Sequence, residues 1–117
     1  MSSSILLEKS YAFALRVIKL SEYLTRERKE FVLSRKVLDS GTAIGALVEE
    51  ARQGEDRAEF GQRLGLAARE AFKTNYWLRL LRDSDYVTDD QASSMLSDCE
   101  ELQKMLIASR KTSRNAS

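Results

Sequence analysis

The stretch FGQRLGLAAREAFKTNYWLRLL, residues 60–81, places a small or apolar side chain at every third or fourth position. The members of this series are Phe60, Leu64, Ala67, Ala71, Thr74, Leu78 and Leu81. Such spacing matches the turn of an α-helix and predicts one buried stripe along its length. Because only Thr74 is polar, the stripe must be covered by apolar surfaces from the rest of the chain.

Three further stretches carry the same spacing, and each predicts another helix. Their stripes are Phe13, Val17, Leu20 and Leu24; Leu33, Val37, Ser40, Ile44, Leu47 and Ala51; and Ala92, Leu96, Cys99, Leu102 and Leu106. The chain contains no proline, the residue that interrupts helices most strongly. We therefore predict a single all-α domain over residues 1–117, folded as an up-down antiparallel four-helix bundle.

The predicted helix boundaries rest on local capping chemistry. Asp56 with Glu59, and Thr88 with Gln91, have the spacing of capping pairs at the starts of the third and fourth helices. The first turn, within 25–30, is charged but contains no residue that ends a helix sharply. The predicted helices span about 5–27, 31–53, 57–83 and 89–112, and residues 113–117 are expected to fray.

Composition limits the function. The chain has 19 basic and 18 acidic residues, so its net charge of +1 gives no overall attraction for nucleic acid. It has no histidine, the usual proton shuttle at neutral pH and the commonest metal ligand. Its single cysteine, Cys99, cannot form an internal disulfide, and residues 1–7 resemble neither a signal peptide nor a membrane span. We expect a cytoplasmic protein without a membrane partner.

Two glycines four positions apart, Gly41 and Gly45, lie within the stretch DSGTAIGALVEEA, residues 39–51. A phosphate-binding loop would require lysine and serine or threonine after the glycines, whereas apolar residues follow Gly45. Glycine inside a helix costs about 0.5–1 kcal/mol relative to alanine. We interpret the pair as a site of close helix packing, and Gly61 with Gly65 repeats the spacing in the third helix.

Two segments carry a family resemblance: SGTAIGALVEEA at 40–51 and DRAEFGQRLGLAAREAFKTNYWLRLL at 56–81. They resemble the signature segments of four-helix-bundle proteins encoded by intervening sequences of bacterial 23S rRNA genes. That family includes the accessory variability proteins of diversity-generating retroelements, and the resemblance covers residues 11–112. It implies a small cytoplasmic bundle that assembles as a ring-like pentamer without known catalysis. Its retroelement branch is associated with nucleic acid and reverse transcriptase.

Two charges depart from the family pattern. Asp39 stands where the family usually has arginine, and Lys73 stands where it usually has glutamate. If helices two and three pair antiparallel around a turn near 54–56, one swapped salt bridge between Asp39 and Lys73 accounts for both departures. The alternative is that they are two unrelated surface charges.

Glu50 and Glu70 match family positions and flank the core stripes. We interpret them as rim or partly buried partners of Arg52, Arg63 or Arg69. Di-iron sites in helix bundles use Glu-x-x-His pairs, which a chain without histidine cannot supply. We therefore predict no metal, no cofactor and no catalytic residue, and so no enzymatic activity.

Apolar side chains outside the strict core stripes predict contacts between subunits. On helix one, Leu7, Tyr11, Ala14 and Ile18 form a second apolar stripe beside the core stripe. Together the two stripes cover about half of the helix circumference, more than a bundle core requires. The candidate interface residues are Tyr11, Ile18, Leu66, Phe72, Tyr76, Trp77 and Leu80. The expected function is a homo-oligomeric binding scaffold, and the alternative is a monomer with a broad core.

Basic residues on helix one suggest a second function. Lys9, Arg16, Lys19 and Arg26 fall within about 100° of one another on a helical wheel. Repeated around an oligomer, they could follow the phosphates of RNA or DNA without reading sequence, as in an accessory protein of a reverse-transcriptase complex. The alternative for these four residues is an ordinary solvated face.

Overall fold

A computed structural model of the chain describes the backbone of residues 2–116 and the side chains of residues 5–112. It contains four helices and, within 2–116, no strand. The helices are α1 (Ser2–Arg26), α2 (Val32–Arg52), α3 (Arg57–Asp83) and α4 (Asp89–Ala116). The predicted all-α fold of four helices is therefore confirmed. Of the tail expected to fray, residues 113–116 continue α4, and Ser117 lies outside the described residues.

Each helix lies beside its neighbours in the chain, and α1 also lies beside α4. The bundle is thus a closed square in which α1 is diagonal to α3 and α2 is diagonal to α4. The turns 27–31 and 84–88 lie at one end, and the turn 53–56 lies at the other. The square has four sides, which are named below by their two helices.

The predicted stripes form the core of the bundle. On α3, Leu64, Ala67, Ala71, Leu78 and Leu81 are buried, and Phe60 is half-buried at the edge of the core. Thr74, the polar member, is also buried, and its hydroxyl hydrogen-bonds the hydroxyl of Ser40 at 2.8 Å. None of the described helices has an apolar stretch long enough to cross a membrane.

Side-chain caps begin the last two helices. The carboxylate of Asp56 accepts the Glu59 N–H at 2.8 Å. Thr88 and Gln91 bond reciprocally, each side chain accepting the backbone N–H of the other, at 2.9 and 3.1 Å. Both capping pairs expected from the sequence are therefore present.

The first turn ends α1 through backbone conformation. Lys29 has a left-handed φ of 55°, and the Glu30 N–H donates to the Leu24 carbonyl at 2.9 Å. The carboxylate of Glu30 then accepts the Ser34 N–H at 2.8 Å. Left-handed φ values are uncommon for residues other than glycine, so the sequence of this turn gives no clear signal of the boundary.

One side chain joins the two turns at this end of the bundle. Nη1 of Arg28 donates to the carbonyl oxygens of Asp85 at 2.9 Å and Tyr86 at 2.8 Å. The guanidinium also lies 5.1 Å from the centroid of the Tyr86 ring. Arg28 therefore ties the first turn to the last one, a contact that the sequence did not indicate.

Gly41 marks the closest approach of α1 and α2. A β-carbon at position 41 would lie 2.7 Å from Cγ2 of Val17, shorter than real contacts allow. At Gly45 a β-carbon would meet the backbone oxygen of Ser10 at 3.4 Å, which is an ordinary contact. In α3, Gly65 lies under the guanidinium of Arg110 from α4. The tightest constraint in α2 is thus at Gly41.

The structure corrects the expected pair between Asp39 and Lys73. Oδ1 of Asp39 lies 3.6 Å from Nε of Arg35, and Nζ of Lys73 lies 3.3 Å from Oε2 of Glu70. Each charge precedes by one residue a side chain that faces the other helix, Ser40 or Thr74. A step of one residue rotates it about 100° out of the seam between the helices. Each charge therefore pairs one turn away on its own helix, as two independent surface charges.

We predict that Gly41→Leu destabilises the bundle by about 1–3 kcal/mol, because the new side chain collides with Val17 in a packed core. Thermal or urea unfolding followed by circular dichroism measures the change. Ala46→Leu is the matched control, because it adds a leucine at an exposed position of the same helix. A melting temperature of Gly41→Leu equal to or above that of the wild type would contradict the close approach.

We predict that Arg28→Ala lowers the free energy of unfolding by about 1 kcal/mol, because it removes charge-assisted hydrogen bonds to two carbonyl oxygens. Arg26→Ala, two residues earlier on the exposed surface, should change it by less than about 0.5 kcal/mol. Urea denaturation of both variants provides the comparison. Equal effects would show that Arg28 does not hold the two turns together.

Candidate interaction surfaces

Two opposite sides of the bundle are closed by charged side chains. On the α1–α4 side, Lys9 pairs with Glu101 at 3.3 Å, and Arg16 pairs with Asp98. Arg16 also donates to the hydroxyl of Ser94 at 2.9 Å. These contacts satisfy cations of α1 with acceptors of α4, so this side is polar but locally balanced.

The α2–α3 side is built in a similar way. Arg63 pairs with Glu50 at 3.5 Å, as the sequence interpretation of Glu50 proposed among its alternatives. Nearer the other end of α3, the ammonium of Lys36 lies 5.3 Å from the centroid of the Trp77 ring. Trp77 is half-buried against the core. The aromatic ring is thus packed partly against the core and partly covered by a cation from α2.

The α1–α2 side instead exposes apolar side chains. Tyr11 is 65% exposed and Ile18 is 40% exposed, and Leu15 between them is also exposed. Tyr11 and Ile18 lie within about 20° of each other on the helix, and both lie nearer to Ser21 than to Arg16. Ser21 hydrogen-bonds Ser34 of α2 at 2.8 Å. Tyr11 and Ile18 therefore lean toward α2, away from the ion pairs with α4, whereas Leu15 points outward between the two flanks of α1.

The α3–α4 side also exposes apolar side chains. Phe72 is 51% exposed, Tyr76 is 47% exposed and Ile107 is 48% exposed. Asn75, between the two aromatic residues, donates to the Gln103 side chain of α4 at 3.1 Å. This bond places Phe72 and Tyr76 on the flank of α3 next to α4, and Ile107 lies one turn beyond Gln103. The diagonal helices α1 and α3 thus carry apolar surfaces on opposite sides of the bundle.

The seven predicted interface residues separate into two groups. Tyr11, Ile18, Phe72 and Tyr76 are exposed, whereas Leu66, Trp77 and Leu80 are half-buried within one protomer. Tyr76 and Trp77 contact each other edge to face, with ring centroids 5.0 Å apart. Tyr76 therefore points outward while Trp77 belongs mainly to the protomer.

Sequence reasoning missed five exposed apolar residues: Ile5, Leu15, Phe31, Val32 and Ile107. Leu15 continues the helical spacing from Tyr11 to Ile18, so the spacing could have indicated it. Phe31 and Val32 lie at the boundary between a turn and a helix, where periodicity gives no information.

The four basic residues proposed for nucleic acid also separate. Lys9 and Arg16 point toward α4 and are paired with its acidic side chains. Lys19 and Arg26 are exposed, and neither has an ion pair among the described residues. The continuous basic face expected on α1 is therefore reduced to two cations. A helical wheel of α1 alone does not include the acidic side chains of α4 that pair with Lys9 and Arg16.

A shallow cleft of about 280 Å³ lies beside these cations on the α1–α4 side. Its apolar lining comes from Leu20, Tyr23 and Met95, and Arg16 with Lys19 stands at its edge. The cleft combines an aromatic ring with positive charge, a combination suited to a flat anionic ligand.

The single cysteine of the chain, Cys99, is buried in an unreactive setting. Burial, together with the nearby Glu100 and Asp98 carboxylates, raises the pKa of the Cys99 thiol to about 12. The same thiol lies 3.3 Å from the Ala71 carbonyl oxygen. Among the described residues, no group of three or more acidic or cysteine side chains could hold a metal ion. This arrangement suits packing and does not activate a nucleophile.

Comparison with known proteins supports the four-helix fold and identifies the family. The model of the family described as 23S rRNA-intervening sequence protein matches residues 3–108. A crystal structure from Bacteroides thetaiotaomicron VPI-5482, of a protein with unknown function from the S23 ribosomal protein family, superposes with a TM-score of 0.93. The two chains are 42% identical, and the match covers 95% of this chain and 99% of that one. Among proteins with curated functions, none matches.

Proposed function

Because the chain belongs to the 23S rRNA-intervening sequence protein family, we propose that it acts as a non-catalytic, homo-oligomeric binding scaffold in the cytoplasm. The family resemblance makes a ring-like pentamer the expected assembly. The observation that carries the proposal is the exposure of large apolar side chains on two opposite sides of the bundle.

Those exposed side chains are the type that dominates protein interfaces. Phe72 and Tyr76 on one side, and Tyr11 on the other, are large aromatic residues whose burial contributes most strongly to association. The ion-paired α1–α4 and α2–α3 sides expose fewer large apolar side chains among the described residues, with Ile5 on the α1–α4 side at 41% exposure. A ring of identical copies needs two different contact surfaces on each copy, and the two apolar sides of this bundle are the candidates for them.

The proposal of a non-catalytic role rests on the settings of the reactive groups. Cys99 is buried with a raised pKa. Glu50 is paired with Arg63 and Glu70 with Lys73, so each of these carboxylates already has a cationic partner. The chain also has no histidine, the side chain that most often activates a nucleophile near neutral pH.

We predict that light scattering gives a mass several times the 13.3 kDa of the chain. Phe72→Ala should raise the dissociation constant roughly thirtyfold or more, as loss of an interface hot spot does. Lys19→Ala is the matched control, because it truncates an exposed side chain on the α1–α4 side and should leave the mass unchanged. A wild-type monomer at tens of micromolar would end the scaffold proposal.

A second candidate function is sequence-independent binding of RNA or DNA, as in an accessory protein of a reverse-transcriptase complex. The observation that favours it is the cleft in which Tyr23 lies near Lys19. Arg26 adds a second cation on the same helix that has no ion pair in the described chain. Phosphate neutralisation by such cations would make any binding weaken with salt.

For this second candidate we predict that Lys19→Ala with Arg26→Ala weakens retardation of RNA and DNA in gels and reduces its salt dependence. Lys36→Ala, which removes a cation from the α2–α3 side, serves as the control. Binding that is unchanged by the double substitution, or that does not depend on salt, would exclude these two residues as the contact.

A further inference from the structure

We propose that neighbouring copies pack the α1–α2 side of one protomer against the α3–α4 side of the next. This inference rests on the proposed oligomeric function and specifies its interface. The occupant of each apolar side is thus a second copy of the chain, presenting its other apolar side.

The apolar surfaces are the first support. Tyr11 and Ile18 on one side, and Phe72, Tyr76 and Ile107 on the other, project from opposite sides of the same bundle. Successive copies related by rotation about an axis near the bundle direction would bring one set against the other. Each copy would then bury both sets.

The second support is the charge of the two turns at one end of the bundle. The segment 26–36, named here the basic turn, comprises the neutral turn 27–31, the last residue of α1 and the start of α2; it contains five basic and two acidic residues, a net charge of +3. The acidic turn, residues 82–90, contains four acidic residues and one basic residue, a net charge of −3. The basic turn connects α1 to α2, and the acidic turn connects α3 to α4. Each turn therefore lies at the end of one of the two apolar sides.

Contacts within the protomer use only part of these charges. Arg35 pairs with Asp39 at 3.6 Å, and Lys36 lies over Trp77 on the α2–α3 side, whereas Lys29 has no ion pair among the described residues. Arg28 reaches the acidic turn but bonds carbonyl oxygens, not carboxylates. In the acidic turn Asp83 pairs with Arg82, while Asp85, Asp89 and Asp90 have no ion pair among the described residues. The remaining charges are available to a neighbouring copy.

The basic turn also continues the apolar side to the end of the bundle. Phe31 is 62% exposed and Val32 is 66% exposed, both beside Lys29. An apolar surface next to positive charge fits the apolar α3–α4 side next to the acidic turn. Pairing two like sides in parallel would instead bring two turns of the same charge together, which opposes association.

A mixing experiment tests this arrangement. Ile18→Lys damages only the α1–α2 side, and Phe72→Lys damages only the α3–α4 side. Each variant alone should be a monomer by light scattering, whereas an equimolar mixture should form a heterodimer of twice the 13.3 kDa chain mass. The heterodimer uses the one intact side of each variant and cannot grow further. Circular dichroism verifies folding, and Tyr11→Lys with Tyr76→Lys replaces a pair that fails to fold.

The charge contribution has a matched control within the same mixture. Lys29→Glu added to the Phe72→Lys chain places the reversed charge in the interface and should weaken the heterodimer roughly threefold to tenfold. The same Lys29→Glu added to the Ile18→Lys chain lies away from the interface and should leave the dissociation constant unchanged. Equal effects in both chains would overturn the role of the basic turn.

The outcomes separate the inference from the proposed function. A wild-type monomer removes both. A wild-type oligomer whose two variants do not form a heterodimer overturns the inference and leaves the scaffold function standing. A homodimer of either single variant has the same meaning, because it shows that like sides pair.

Discussion

The buried hydrogen bond between Thr74 and Ser40 fixes the register of α2 against α3, and the sides of the bundle follow from that register. Both residues lie in the core. The Thr74 hydroxyl also bonds the Glu70 carbonyl of its own helix, so the Ser40 hydroxyl is the buried polar group that would lose its partner at a cost. Sliding one helix by a turn would separate the two hydroxyls. With this bond in place, Glu50 lies opposite Arg63, and Lys36 lies over Trp77. The α2–α3 side is therefore closed.

A different constraint sets α1 against α2. Because Gly41 has no side chain, Val17 can pack directly on the backbone of α2. This close approach turns Lys9 and Arg16 toward α4, where Glu101 and Asp98 accept them. The flank of α1 next to α2 is left with Tyr11 and Ile18. The apolar and charged sides of the bundle thus share one origin, the rotation of each helix about its own axis.

The sequence predicted what depends on spacing within one helix and failed where geometry between helices decides. The stripe from Leu64 to Leu81 and the capping pair of Thr88 with Gln91 are local patterns, and both appear as expected. The pairing of Asp39 with Lys73 required knowing which residues of the two helices face the seam between them. Ser40 and Thr74 face it, so Asp39 and Lys73, each one residue earlier, point about 100° out of it.

The same limit explains the candidate surfaces. Exposure of Tyr11 and Phe72 followed from their positions off the core stripes, because a helix buries only one stripe. Half-burial of Trp77 did not follow, because it depends on the Lys36 ammonium from another helix. Neutralisation of Arg16 likewise requires Asp98, which is distant in sequence and adjacent only when α1 meets α4. Arg28 likewise bonds residues that are far away in the sequence, because it joins the first turn to the last one.

A nearly neutral chain can still direct its own association when its charges are separated in space. The net charge of +1 conceals a basic turn and an acidic turn of similar size at one end of the bundle. Among parallel copies, opposite charges at the ends of the two apolar sides favour contacts between unlike sides and disfavour contacts between like ones. Apolar burial supplies most of the association energy but has little directional preference. In this bundle the charged turns would determine which side of one copy meets which side of the next. Each copy would then join its neighbour in the same orientation, as a closed ring requires.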